Sequence, residues 1–317
     1  MALFDEVNDD FDELIVRLIT PDAAAQRVAL AAAVDSGDMI LLPSIIALLH
    51  DENAEVREDA ARALGAFSAI ASVPALISAL QDKEDNVRTA VAATLADFNL
   101  PASAPLLIAE LGHADPFVRT TCLRSLTPVR SQAAFAPAVA ALHDEAAPVR
   151  RAAASLLGWL RDPAAQPRLT AATADEDAEV RRIAIGALLP GGPETRTAFA
   201  RAFADDNWQV REEAATRAGR LKLDAALPAL IALMQDEYWQ VRVKAAASLG
   251  QLKRPEAIPA LGAALEAPVS NLRKEATAAL GEIGHRDALP HLAAHADDPD
   301  PDVRKLNRWA VGKIQLA

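Results

Sequence analysis

Apolar residues along this chain alternate between two helical rhythms separated by polar turns. Segments such as residues 41–51 (LLPSIIALLHD) and 226–236 (ALPALIALMQD) are short, apolar and closed by a polar turn. Each is followed by a segment like residues 56–67 (VREDAARALGAF), in which apolar side chains fall at −1, +3, +4, +7 and +10 from an arginine. That spacing predicts an amphipathic helix with one buried stripe. Asn53, Asp115, Asp177, Asn207 and Asp300 stand four residues before their arginines, where an N-cap is expected, and Pro116 and Pro301 then take the first helical position. Each of these helices is expected to stop near Gly65, Gly158, Gly219, Gly250 or Gly281. Small Ala and Gly at +3, +4 and +8 are expected to let neighbouring helices approach closely.

The two-helix unit repeats. A Val-Arg pair recurs at Arg57, Arg88, Arg119, Arg150, Arg181, Arg211, Arg242, Arg273 and Arg304, in steps of 31 residues with a single step of 30, and Leu272 replaces Val once. Arg27, after Gln26, is read as a degenerate first copy. About ten copies fill the chain, so the expected architecture is an all-α α-solenoid covering 1–317 as one domain. Within it, 1–38 reads as an acidic N-terminal cap with the degenerate repeat, 39–285 as regular repeats and 286–317 as a capping repeat. Asn307 and Arg308 replace apolar residues at +3 and +4 in the last copy, as expected of a polar outer side.

The same residues resemble HEAT repeats. A proline, an aspartate eight residues on and an arginine six further appear as Pro43-Asp51-Arg57, Pro74-Asp82-Arg88, Pro167-Asp175-Arg181, Pro228-Asp236-Arg242 and Pro290-Asp298-Arg304. The short period and the VRxxAAxxLG helix are similar to the short, phycobilin-lyase-type HEAT-like repeat. The resemblance implies that the aspartates and arginines bridge adjacent copies as a structural ladder, and that the Val-Arg helices line a concave surface. His113 and Ala267 replace the aspartate in two copies, Pro137 is shifted by one and the copy at Arg211 lacks the proline, so rungs are expected to be missing there.

Alignment of the copies leaves the slots at −3, +1, +2, +5 and +9 off the buried stripe, and all four tryptophans occupy them. Trp208 and Trp239 share the −3 slot in consecutive copies, beside Tyr238; Trp159 stands at +9 and Trp309 at +5. Aromatic residues at polar-tolerant positions are candidate partner-binding anchors, with Glu212 and Lys244 among the charged neighbours. The competing reading lays each ring flat across the seam to the next copy.

Composition narrows the function. The net charge is −12, and residues 1–60 hold fourteen Asp/Glu against three Lys/Arg, so the rest is near neutral. An acidic front and a neutral body argue against nucleic acid. The front helix (FDELIVRLI) carries an acidic flank of Asp5, Glu6, Asp9, Asp10, Asp12 and Glu13, read as a cap. One cysteine, no basic leader and no long apolar run suggest a reducing, cytoplasmic setting without a membrane span. Phosphate loops, GxSxG, HExxH, CxxC and His-Glu dipeptides are all missing from the sequence, and only His291 and His295, four apart, have metal-ligand spacing. No catalytic residue, metal or cofactor is assigned. The expected function is a non-enzymatic scaffold or adaptor that binds a protein or peptide partner. The resemblance supplies the alternative, a bilin or tetrapyrrole lyase-like or chromophore-handling protein, as some relatives with this repeat are.

Overall fold

The computed structural model describes residues 13–316. Among them every regular element is helical, and the chain is an all-α solenoid of repeated helix pairs. It divides into two compact units, Met1–Leu160 and Arg161–Ala317. We number only the Val-Arg helix of each pair. In the first unit these are α1 (Ala23–Ser36), α2 (Ala54–Phe67), α3 (Asp85–Asp97), α4 (Pro116–Val129) and α5 (Ala147–Leu160). In the second they are α6 (Ala178–Ala187), α7 (Trp208–Arg220), α8 (Trp239–Leu252), α9 (Ser270–Ile283) and α10 (Pro301–Leu316). The acidic residues Asp5, Glu6, Asp9, Asp10 and Asp12 lie outside the described residues; residues 13–19 are helical and Leu18 is fully buried.

Capping follows the sequence. The side chains of Asn53, Asp115, Asp177 and Asn207 each accept a backbone N–H from the first turn of their helix. Most partner helices open with proline in the first turn, as at Pro74, Pro228 and Pro290. The residue before each arginine is buried throughout, from Val56 at 0% exposure to Leu272 at 2%.

Helices end near the expected glycines, one or two residues after them. Gly65, Gly158, Gly219, Gly250 and Gly281 lie inside the last turns of their helices, not beyond them. The turn is made three residues later, by left-handed Ser68, Arg161, Lys222, Lys253 or Gly284. The internal glycines serve packing: a Cβ on Gly250 would stand 2.8 Å from the Cα of Ala279, so α8 and α9 touch backbone to backbone there.

The repeat is irregular where two copies of the second unit meet. Helix α6 has only ten residues, and the helix that follows it, Pro193–Phe203, the partner of α7, is an undivided eleven-residue helix. Arg217 of α7 donates through Nε and Nη2 to the Leu188 carbonyl at the shortened end, at 3.0 and 2.6 Å. At the last pair, Asn307 is 3% exposed and donates to the Leu292 carbonyl at 2.8 Å. It therefore ties the two helices of its own copy together and does not face outward; Arg308 alone of the two is exposed.

Candidate functional site

The arginines at the Val-Arg positions make two kinds of contact. Arg57, Arg119, Arg181, Arg211 and Arg273 each donate Nη1 to two backbone carbonyls of the turn before their own helix. The opposite edge, Nε with Nη2, grips the aspartate of the next copy: Asp82, Asp144, Asp205, Asp236 and Asp298, at 2.6–3.0 Å. The aspartate in turn accepts the backbone N–H two residues on, as Asp82 does from Glu84 and Asp236 from Tyr238. Such bidentate, charge-assisted pairs fix both distance and angle between copies. The Arg57 guanidinium holds the Asp82 carboxyl below the usual carboxylate range, and Arg273 does the same to Asp298. Asp51 is gripped by Gln26, at 3.0 Å, and not by an arginine. Gln26 thus occupies the arginine slot of the first copy, while Arg27 turns out to Glu55 and Asp59.

Rungs fail where the aspartate is replaced. Arg88 faces the copy containing His113; it reaches sideways to Asp85 in its own helix, stands 4.0 Å from Asp115 and lies over the Phe117 ring at 5.3 Å. Its Nε is buried without a hydrogen-bond partner. Arg242 faces Ala267 and makes only the two carbonyl contacts, to Asp236 and Glu237. Arg304 likewise donates only to the carbonyls of Asp298 and Pro299. These three arginines therefore make no rung to a following aspartate among the described residues. Rungs expected to fail at the shifted proline and at the proline-free copy are present, as Arg119–Asp144, Arg181–Asp205 and Arg211–Asp236. Proline shapes the partner helix, whereas the rung needs only the carboxylate. Asp175 accepts the Asp177 N–H.

The aromatic candidates sit at the helix starts and seams. Trp208 stacks on Tyr238, with ring centroids 5.4 Å apart and planes 15° apart, and the Arg211 guanidinium lies 5.7 Å from the Tyr238 ring. Tyr238 and Trp239 keep 38% and 39% of their surface exposed. Trp239 makes no ring pair with Trp208, so the stack is formed by the tryptophan of one copy and the tyrosine of the next. Glu212 and Lys244 are half-buried on α7 and α8 and make no side-chain hydrogen bond to this trio. Trp309 seats on Gly281, where a Cβ would come within 2.5 Å of the ring, and Lys313 covers it at 4.9 Å. Trp159, 54% exposed, lies under Arg130 at 5.1 Å. The structure thus gathers Trp208, Tyr238 and Trp239, and leaves Trp159 and Trp309 as separate single rings.

The first unit adds a surface that sequence reasoning did not single out. Three hollows of about 630, 800 and 690 Å³ follow one another along α2 to α5. Adjacent hollows share residues, Thr89 with Ala93 and then Ala96 with Arg124, and their walls carry the polar-tolerant slots. Charge changes sign along them: Glu58, Asp85 and Asp97 line the first, Arg124 and Arg130 the third. The absence of aromatic residues from most of these slots hid the surface from a search for anchors. In the second unit a smaller hollow of about 260 Å³ lies between Phe199, Phe203 and Leu223.

Chemistry of other kinds finds little support in the geometry. Cys122 is fully buried and burial pushes its thiol up to about 12, leaving it unreactive. His295 bridges the His291 carbonyl and Glu266, each at 2.8 Å. Among the described residues no three His, Cys, Asp or Glu side chains group as a metal site, and no helix is long and apolar enough to cross a membrane.

Known proteins agree with this architecture. No curated protein matches the chain. Solved structures that resemble it include an engineered protein (19% identity, 96% of this chain and 99% of that one, TM-score 0.52). Escherichia coli YibA is similar at 20% identity, over 90% of this chain and 97% of that one, with a TM-score of 0.56. Kap95p, in a structure with RanGDP, is similar at 19% identity over 96% of this chain and 50% of that one, with a TM-score of 0.63. At these identities the likeness is one of fold. The HEAT repeat model matches residues 11–96, 42–127, 104–189, 171–242 and 227–312, nearly the whole of the chain, which therefore belongs to the HEAT repeat family.

Proposed function

We propose that this HEAT solenoid, of the short phycobilin-lyase-like type, is a non-enzymatic scaffold that holds a protein partner through its Val-Arg helices, with Trp208, Tyr238 and Trp239 as anchor. One observation carries the reading: two large aromatic side chains, Tyr238 and Trp239, stand side by side at the start of α8 and are each more than one-third exposed. Tyr238 is backed by Trp208 and Arg211, and its backbone N–H is held by Asp236. A rigid aromatic surface loses little conformational freedom on binding and gains most from desolvation. Rigid exposed aromatics are the usual energetic centres of protein interfaces. Kap95p, which shares the fold, is seen in complex with a protein.

The test is affinity capture from lysate of the protein's own cells, with wild type beside Tyr238→Ala/Trp239→Ala and circular dichroism as a folding control. A partner retained by wild type and reduced at least about tenfold by the folded variant, roughly 1.4 kcal/mol, is the expected result. Equal capture by both would remove the aromatic trio from the interface.

A further inference from the structure

Arg211 and Arg242 stand in the same tetrapeptide, Trp-Gln-Val-Arg, at 208–211 and 239–242. Both donate Nη1 to the two carbonyls of the turn before their helix. On the other edge Arg211 grips Asp236 through Nε and Nη2, at 2.7 and 3.0 Å. The residue 25 positions after Arg242 is Ala267, and among the described residues no carboxylate meets that edge of Arg242. The guanidinium is held by its Nη1 contacts, half-buried, with two donors oriented as they are in five occupied copies. Glu237 and Asp236, the carboxylates nearest in sequence, both stand against Arg211, at 3.6 and 2.7 Å.

We propose that the Nε–Nη2 edge of Arg242 is a carboxylate-binding fork, and that its ligand is an acidic side chain in a peptide segment of a partner protein. The inference deepens the scaffold reading and rests on it for the identity of the ligand as a protein. Three arguments select this site. The fork geometry matches a carboxylate in both donor spacing and plane, and an orienting contact already fixes it. Trp239, exposed, precedes Arg242 by three residues on the same helix, and side chains three apart share a face. An acidic residue beside an apolar one would therefore meet the guanidinium and the indole together. The other vacant rungs are less suited: Arg88 has its Nη2 taken by Asp85 and its Nε buried, and Arg304 has Pro301 at the aromatic slot.

The repeat supplies its own blocking variant. Ala267→Asp would place a carboxylate where Asp236 stands one copy earlier, filling the fork from within while leaving Trp208, Tyr238 and Trp239 untouched. The experiment follows the Nε–Hε resonances of Arg211 and Arg242 by nitrogen-15 NMR in the full chain. The probe is the capped tripeptide Phe-Asp-Phe, against its Phe-Asn-Phe counterpart. Arg242 is expected to shift and saturate with the acidic peptide, to bind the amide at least about tenfold more weakly, and to stop responding in Ala267→Asp. Arg211, already paired, should remain still. Equal responses to both peptides, no response at Arg242, or an undiminished response in Ala267→Asp would each overturn the fork. Should Ala267→Asp fail to fold, Arg242→Gln replaces it, with tryptophan fluorescence reporting peptide binding and the same tenfold loss expected. Failure of the fork is distinguishable from failure of the scaffold. In the first case Ala267→Asp captures partner as wild type does while Tyr238→Ala/Trp239→Ala loses it; in the second that double variant also captures normally.

Discussion

The seam between α7 and α8 and the seam between α8 and α9 begin from the same four residues and end differently. Both helices start Trp-Gln-Val-Arg, bury the valine and hold the arginine by backbone carbonyls. At the first seam the guanidinium is clamped by Asp236, whose side chain is 5% exposed, and Tyr238 packs over it. At the second, Ala267 leaves the guanidinium edge unclaimed and Val269 takes the place of Tyr238. Close approach is common to both seams: Gly219 of α7 admits Ser248 of α8, and Gly250 lets α8 meet Ala279 of α9. The first seam is therefore held by contact and charge together, the second by contact without the charge. The lesson is that a repeat motif specifies a slot, while its content depends on a residue one copy away.

The largest expected effect separates the two seams by removing the clamp. Asp236→Ala would leave the buried Arg211 without its close carboxylate partner, and should cost about 3 kcal/mol in urea unfolding. Arg242→Ala, which breaks no ion pair, should cost about 1 kcal/mol or less by the same measurement. Similar losses for both would mean that the carbonyl contacts, and not the rung, carry the seam.

Acid should discriminate next. Burial pushes the Asp236 carboxyl up, but the Arg211 bond, the Tyr238 N–H and the nearby Arg242 charge outweigh it and leave it below its ordinary value. A carboxyl depressed in the folded state contributes stability that is present above its unfolded value of about 4 and is lost as pH falls through the folded value. Hydrogen exchange should show amides of α7 losing protection below about pH 4 while the α8/α9 contact at Gly250 is less affected. Asp236→Asn should flatten that dependence.

A gain is expected where the clamp is missing. Ala267→Asp should stabilise the second unit by about 1 kcal/mol, through one charge-assisted pair and one turn hydrogen bond. A melting temperature that falls would show that the loop at 267–269 cannot place a carboxylate as the loop at 236–238 does.

The smallest contrast concerns the rings. Trp208→Ala removes the support under Tyr238 and should cost about 1 kcal/mol, whereas Trp239→Ala should change stability by less than about 0.5 kcal/mol. Equal costs would mean that Trp239 is packed as its counterpart is.

Much of this was legible in the sequence. Period, helix pairing, N-caps at Asn53 and Asn207 and the buried valines follow from local rules, because a helix face and a cap need only neighbours within a turn. Missing rungs at His113 and Ala267 could be read from the alignment of copies. The true first slot could not: Gln26 and Arg27 are adjacent, and a one-residue shift turns a side chain by about 100° around the helix. Only packing shows which one reaches Asp51. Asn307 was misread for a similar reason, since its partner is a carbonyl fifteen residues away.

By itself, then, the sequence determined the repeat, the order of helices and the chemical inventory of every slot. Tertiary structure decided which inventories meet. It stacked Trp208 on Tyr238 and left Trp239 open, set glycines near the helix ends against neighbouring helices, and joined small polar slots into hollows along α2 to α5. The reason is physical: periodicity fixes direction around a helix axis, but contact between copies depends on the small offsets between helices, which no single copy encodes.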